Sequence, residues 1–184
     1  LCAEKLFVHG NAYSGPRGSR FACVRYGNVV GSRGSVIPLF LEHAPSGVLT
    51  VTDKRMTRFW LSLDHAVQLV LDALEEMQGG EVFVPKIPSM RVVDLAHAIA
   101  PEAIVKEVGI RPGEKLHEAL LTPEEAREGR EFPTYYVIGG RSVRGAAGGT
   151  PLADGFCYTS DNNTQWLSVE RLGELVSEFS RQDG

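Results

Sequence analysis

Residues 21–38 read Phe-Ala-Cys-Val-Arg-Tyr-Gly-Asn-Val-Val-Gly-Ser-Arg-Gly-Ser-Val-Ile-Pro and constrain the fold more than any other stretch of the chain. Residues 21–24 are apolar in succession, the pattern of a strand buried on both faces of a parallel sheet. Gly27, Asn28, Gly31, Ser32, Arg33, Gly34 and Ser35 predict a glycine-punctuated turn, and residues 36–41 a helix with Ser35 as N-cap and Pro38 tolerable only in the first turn. A strand that ends in small residues and opens a helix is where open α/β sheets bind ligands. Glycines let a ligand approach the backbone, helix N-terminal amides favour an anion, and Arg33 adds a fixed charge with a planar fork of donors. A phosphate or diphosphate is the guest this chemistry selects; an ordinary solvated turn is the competing reading.

Any anion site has to be local, because the net charge of −4 argues against a generic nucleic-acid or acidic-membrane surface. At 184 residues, 43% apolar, the chain can bury a real core as one ordinary domain. No apolar run approaches the roughly 20 residues that span a bilayer, and no secretory signal is visible at the start, so a cytoplasmic location is expected. Cys2, Cys23 and Cys157 are odd in number and widely spaced, which predicts reduced core thiols. His9, His43, His65, His97 and His117 show no metal-ligand spacing and are expected to be structural or exposed, with no metal bound. Residues 1–9 look like the second half of an amphipathic helix with no cap or first turn, from which we expect the C-terminal portion of something longer.

Residues 11–20 predict a loop, residues 48–52 a strand, and Asp53-Lys54 a turn. In Arg55-Met-Thr-Arg-Phe-Trp-Leu, Met56, Phe59, Trp60 and Leu61 are expected to be partly buried around Arg58, which then needs a partner: an internal carboxylate or a ligand phosphate. Ala66, Val67, Leu69, Val70, Ala73, Leu74 and Met77 recur at three and four and predict a helix capped by Ser62 and ending at Gly79-Gly80. Strands are expected over residues 81–85, 104–108 and 132–138, a Ser89-capped helix over residues 89–99, a turn at Pro112-Gly113, and a capping box at Thr122-Pro-Glu-Glu. Residues 139–149 predict a mobile surface loop, and the helix after Ser168 uses Leu172, Leu175, Val176 and Phe179. Strand and helix alternate in an α/β pattern, with a smaller α+β tail expected as a lid. No GxGxxG fingerprint occurs.

Four blocks in order, Arg25-Tyr-Gly-Asn-Val-Val-Gly-Ser-Arg-Gly-Ser-Val-Ile-Pro, Met56-Thr-Arg-Phe-Trp, Gly109-Ile-Arg-Pro-Gly-Glu-Lys-Leu-His-Glu and Asp161-Asn-Asn-Thr-Gln-Trp-Leu-Ser-Val-Glu, resemble one family. They are similar to the extended short-chain dehydrogenase/reductase enzymes that act on UDP-N-acetylglucosamine, in particular the inverting 4,6-dehydratases of polysaccharide biosynthesis. The resemblance implies the C-terminal part of an NAD(P)-binding Rossmann-like fold. Residues 1–85 would be a remnant of the Rossmann-like domain with part of the substrate site, and residues 86–184 a C-terminal substrate-binding and lid region. The family's Tyr-x-x-x-Lys pair would stand just before Leu1, and none of Tyr13, Tyr26, Tyr135, Tyr136 or Tyr158 has a lysine four residues on. The chain alone is accordingly expected to be inactive, with no catalytic residue of its own.

What the resemblance leaves here is binding machinery. Asn28 would contact the nucleotide sugar, and Tyr26, Gly27 and Val29 the edge of NADP, or of NAD, bound mainly by an N-terminal half outside this sequence. Arg33, Gly34, Ser35, Val36 and Ile37 would wrap the UDP portion, Arg58 and Arg111 the diphosphate, and Glu114 the ribose or uracil side. Read from the residues alone, Arg58 pairing internally and Arg111 with Glu114 as a surface ion pair stay open. The implied partners are a nucleotide sugar and further copies of the intact protein, with neither nucleic acid nor membrane. The implied reaction gives a 4-keto-6-deoxy sugar inverted at C5; a nucleotide-sugar 4-epimerase or reductase, or a non-catalytic UDP-sugar-binding module, are the alternatives.

Overall fold

A computed structural model describes residues 2–15, 18–30, 36–140 and 148–182. In chain order the elements are α1 (Cys2–Gly10), β1 (Cys23–Val24), α2 (Val36–His43), β2 (Val48–Val51), β3 (Thr57–Phe59), α3 (Leu63–Glu76), β4 (Val82–Pro85), β5 (Ser89–Arg91), α4 (Val92–Ile99), β6 (Ile104–Glu107), β7 (Ala119–Leu121), α5 (Pro123–Ala126), β8 (Gly129–Glu131), β9 (Tyr135–Ile138), β10 (Thr150–Pro151), β11 (Tyr158–Thr159) and α6 (Val169–Gln182). They fold into two units, each of three segments: Leu1–Tyr26, Leu63–Lys86 and Ala119–Tyr158 form the first, and Gly27–Ser62, Ile87–Glu118 and Thr159–Gly184 the second. The boundary expected at residue 85 coincides with the end of β4, while the sheet to which β4 belongs runs on beyond it in sequence.

In the first unit β4 pairs in parallel with β1 and antiparallel with β9, in a sheet of order β1-β4-β9-β8-β10. All four residues of β4 and of β9 are buried, as unbroken apolar runs require. Phe83 meets Tyr135 edge-on at 5.6 Å, and Phe132 stacks on Tyr135 at 5.0 Å. Here β1 departs from expectation: only Cys23 and Val24 are strand, and both are half-buried. The Phe21 backbone is taken off the ladder, its amide donating to Asn11 Oδ1 at 2.9 Å and its carbonyl accepting from Gly80 at 2.7 Å.

α3 buries Ala66, Leu69 and Ala73 but leaves Val67 and Leu74 more than half exposed, so only one side of the expected apolar set is core. It stops at Glu76, ahead of the two glycines; at the following turn the buried Glu81 carboxylate accepts from the Gln78 and Gly79 amides at 3.2 and 2.7 Å. The capping box forms as read, Thr122 and Glu125 satisfying each other's backbone amides. Glu125 has a second duty. Arg25 donates to Glu125 at 2.7 and 2.9 Å, to Glu4 at 2.6 and 2.9 Å, and to the Leu120 carbonyl at 2.9 Å, tying α1, β1 and α5 together.

The second unit packs α2, α4 and α6 with two short two-stranded pairings, β2 parallel to β6 and β3 antiparallel to β5. Its core joins Ile37, Phe40, Leu49, Val51, Met56, Trp60, Leu95 and Leu172. Ser89 does not cap a helix: it is fully buried in β5, opposite Phe59, its amide donating to Gln165 O at 2.8 Å and its hydroxyl accepting from Asn163 at 3.0 Å. α4 therefore starts later, with Arg91 at the cap position and no side-chain cap bond. The cysteines are free, but Cys2 is exposed and Cys23 and Cys157 are half-buried, so the expected core thiols are not in the core. Among the described residues no helix is long and apolar enough to cross a membrane.

Candidate functional site

Inside the second unit, a cavity of about 270 Å³ opens between α2, the ends of β2 and β6, and β3. That is just below the roughly 300–1,000 Å³ of typical small-molecule pockets. Its floor is apolar, from Ile37, Phe40, Met56 and Trp60, each no more than 6% exposed. Its rim is polar: Asn28, Arg58, Arg111 and Glu114 reach it from separate segments. An apolar base with a few convergent polar groups suits a ligand that carries a planar or apolar portion and an anion.

Two ladders place the rim. β3 sits antiparallel to β5, which puts Met56 and Arg58 against the cavity wall. The β2–β6 register carries on past the strands, the Val108 amide donating to Val51 O at 2.9 Å and Gly109 to Thr52 O at 3.0 Å. The chain then turns through Pro112 and Gly113, whose φ of +87° favours glycine, and delivers Arg111 and Glu114. Within the turn the Glu114 amide donates to Arg111 O at 3.0 Å, and the Arg111 amide to the Glu114 carboxylate at 3.3 Å.

The two arginines differ. The Arg58 side chain is 16% exposed, and Nη1 donates to the carbonyls of Thr57 and Leu116 at 2.6 and 3.1 Å, Nη2 to Lys115 O at 2.9 Å, with Nε 3.5 Å from Glu118. Burial pushes the Arg58 guanidinium below its usual pKa, partly offset by Glu118 and Glu114. The internal carboxylate that the sequence left open is thus present, yet most of the donors go to carbonyls, and one Nη2 hydrogen has no protein acceptor among the described residues. The exposed Arg111 guanidinium makes no ion pair among the described residues; only its backbone amide meets Glu114. The surface ion pair considered for these two residues does not form.

Of the residues read as binding groups, Asn28, Val29, Val36, Ile37, Arg58, Arg111 and Glu114 share this one cavity. Arg33, Gly34 and Ser35 lie outside the described residues. Tyr26 belongs to the first unit and is 39% exposed. Gly27 is not on the cavity wall: a Cβ there would stand 3.4 Å from Phe59 Cβ. Sequence reasoning missed Thr50, Thr52 and Val108, which complete the rim where the β2–β6 ladder ends. The alternation Leu49-Thr50-Val51-Thr52, which sets the two threonines on the face opposite the buried Leu49 and Val51, is the signal that could have found that pair.

A family model described as "Polysaccharide biosynthesis protein" matches residues 1–139. A UDP-N-acetylglucosamine 4,6-dehydratase (inverting) from Campylobacter jejuni is 46% identical, covering 96% of this chain and 57% of its own length. A UDP-glucose 4-epimerase from Rickettsia conorii is 38% identical over 94% of this chain and 54% of its own. The X-ray structure of Pen from Bacillus thuringiensis superposes with a TM-score of 0.83 at 32% identity, over 98% of this chain and 56% of that one. The chain spans little more than half the length of the curated relatives it matches.

Proposed function

The chain belongs to the polysaccharide biosynthesis protein family, and from that membership we propose that it supplies the substrate-binding portion of a nucleotide-sugar 4,6-dehydratase. Its fold is α/β, and we read it as the C-terminal part of a Rossmann-like extended short-chain dehydrogenase/reductase. The substrate proposed is UDP-N-acetylglucosamine, and the product a 4-keto-6-deoxy sugar nucleotide inverted at C5. One observation carries the reading: Asn28, Arg58, Arg111 and Glu114, distant in sequence, open on a single apolar-floored cavity.

In this assignment Arg111 meets the diphosphate with an uncommitted guanidinium, and the remaining Arg58 Nη2 hydrogen adds a second donor. Glu114 accepts from a ribose hydroxyl, Val36 and Ile37 line the uridine side, and Asn28 contacts the sugar. Arg33, Gly34 and Ser35 are proposed to extend the same contacts. Of the cofactor only an edge is assigned to this chain, through Tyr26, Gly27 and Val29, the sequence carrying no GxGxxG fingerprint. NADP or NAD, when bound, supplies hydride acceptance and return; most of its contacts are assigned outside this chain. The intact protein is proposed to be a cytoplasmic homo-oligomer.

Incubating the full-length protein with UDP-N-acetylglucosamine and NADP should yield a 4-keto product, and its absence sinks the dehydratase. The 38% identity to an epimerase favours a second reading, under which the C4 epimer accumulates and no 6-deoxy product forms. The isolated chain should bind UDP calorimetrically without turnover.

A further inference from the structure

Three segments of the second unit meet at one buried hydroxyl. Thr57 Oγ1 lies 2.8 Å from His117 Nδ1 and 2.6 Å from Ser160 Oγ, and Ser160 Oγ accepts from the Glu118 amide at 2.9 Å. Thr57 is 4% exposed and Ser160 is fully buried. The Glu118 amide can only donate and takes one of the two lone pairs of Ser160 Oγ, so the direction is set by where the two buried hydroxyl hydrogens find acceptors. With one lone pair of Ser160 Oγ so used, the Ser160 hydrogen has Thr57 Oγ1 as its acceptor among the described residues. The Thr57 hydrogen in turn has His117 Nδ1 as its acceptor among the described residues, and the arrangement that satisfies both hydroxyl hydrogens is the one with Nδ1 bare. The hydrogen-bond pattern thereby assigns the neutral Nε2–H tautomer, with Nε2 facing Asp161 Oδ2 at 3.9 Å.

A proton added to His117 Nδ1 reverses every hydroxyl in this chain. Thr57 would then accept from the ring and donate to Ser160, whose own hydrogen is left buried without an acceptor, a costly state. The charges around the ring do not undo this. Asp161 is 45% exposed, and such pairs contribute little. Asp53 is already committed to Arg55 at 2.7 to 3.0 Å, and on the ring's own segment Glu118 faces Arg58 while the Lys115 carbonyl accepts from it.

What this node holds is the turn at the cavity rim. Residues 110–116 leave the β2–β6 ladder after Gly109 and are next anchored by Arg58, which donates to the Lys115 and Leu116 carbonyls at 2.9 and 3.1 Å, by the Thr57 amide on the Leu116 carbonyl at 3.1 Å, and at His117 and Glu118. Arg111 and Glu114 lie between the two anchors. We propose that His117 is a positioning residue: its neutral form closes a Glu118–Ser160–Thr57–His117 hydrogen-bond chain that latches the Arg111–Glu114 turn at the cavity, and its protonation releases the latch. Only the consequence for nucleotide binding rests on the function proposed above.

The test needs no ligand at first. Imidazole ¹⁵N shifts and hydrogen exchange of the Glu118 amide, corrected for intrinsic rates, are followed from about pH 8 to about pH 5.5, where histidine titrates. The Nε2–H tautomer is expected at the upper end, and Glu118 protection should fall about tenfold or more as the ring protonates, an opening confined to this node. UDP is then titrated at both ends into the wild type and into His117→Asn, whose amide oxygen can stand where Nδ1 accepts and does not titrate. The variant should keep its affinity, and the wild type should lose about fivefold relative to it, a ratio in which protonation of the UDP phosphate near pH 6 cancels. An Nδ1–H tautomer, flat Glu118 protection, or the wild-type pH dependence persisting in His117→Asn overturns the latch. If protection follows pH but UDP fails to bind at either end, the latch stands and the nucleotide reading falls; if UDP binds and protection is flat, the reverse holds.

Discussion

Arg25 in the first unit and Arg58 in the second are both half-buried, and the two are compensated in opposite ways. Arg25 in the first unit is met by two carboxylates, Glu4 and Glu125, and its guanidinium is pushed well above its usual pKa, the Glu125 hydrogen bond being the largest cause. Arg58 in the second unit has three carbonyls and a single carboxylate 3.5 Å away, and burial pulls it down instead. The first arrangement is closed, with each carboxylate held by at least two of the guanidinium's hydrogen bonds. The second keeps charge in reserve at a cavity that Arg111, without an ion pair among the described residues, also lines. A guanidinium with two carboxylates is a structural tie; one held by neutral carbonyls can still favour an arriving anion.

Removing Arg25 should break the comparison most severely. Arg25→Ala leaves Glu4 and Glu125, about 15% exposed, facing each other, and is expected to cost about 3 kcal/mol in urea unfolding at neutral pH. The pH response checks the cause. Burial raises the Glu125 pKa, but the Arg25 hydrogen bond and the Thr122 amide bring it below the usual value. Its contribution is therefore present above the ordinary glutamate value of about 4.3 and lost as pH falls through the lowered folded value. In Arg25→Ala the sign inverts, and stability should rise on mild acidification; a parallel decline in both proteins would refute the tie.

Arg58→Ala ranks next, at about 2 kcal/mol, because the carbonyls of Thr57, Lys115 and Leu116 lose charged donors. UDP binding should go with it. Arg111→Ala separates the two roles: stability within about 0.5 kcal/mol of the parent, and UDP affinity down about tenfold, or about 1.4 kcal/mol. Unchanged affinity there removes Arg111 from the site. The smallest effect is expected at Asp53, which Arg55 holds down to about 2 through side-chain and amide hydrogen bonds. What this pair contributes is present above about pH 3.9 and fades only as pH approaches 2. Asp53→Asn should flatten that acid limb of the unfolding curve and leave UDP binding alone.

Local signals in the chain were legible where the chemistry itself is local. The Thr122 capping box, the Pro112-Gly113 turn, the unbroken apolar runs of β4 and β9 and the Leu172–Val176 face of α6 all formed as read. Ser89 misled because a serine before an apolar run is a cap only if no strand claims it, and here Phe59 does. α3 was read as more buried than it is, since a periodicity of three and four specifies a stripe and not its width. At the site, Arg58 was recognised as needing a partner, but not that carbonyls 57 and 58 residues away in the Lys115–Leu116 segment would supply most of it.

Taken alone, then, the sequence determined where the Thr122 capping box, the Pro112-Gly113 turn and the apolar runs of β4 and β9 form, because those depend on neighbours a few residues apart. It could not decide which arginine is spent on the fold and which is left for a ligand, nor the proton order through Ser160, Thr57 and His117. Both depend on donors and acceptors brought within about 3 Å by the packing of segments remote in the chain, and hydrogen-bond satisfaction is counted in space.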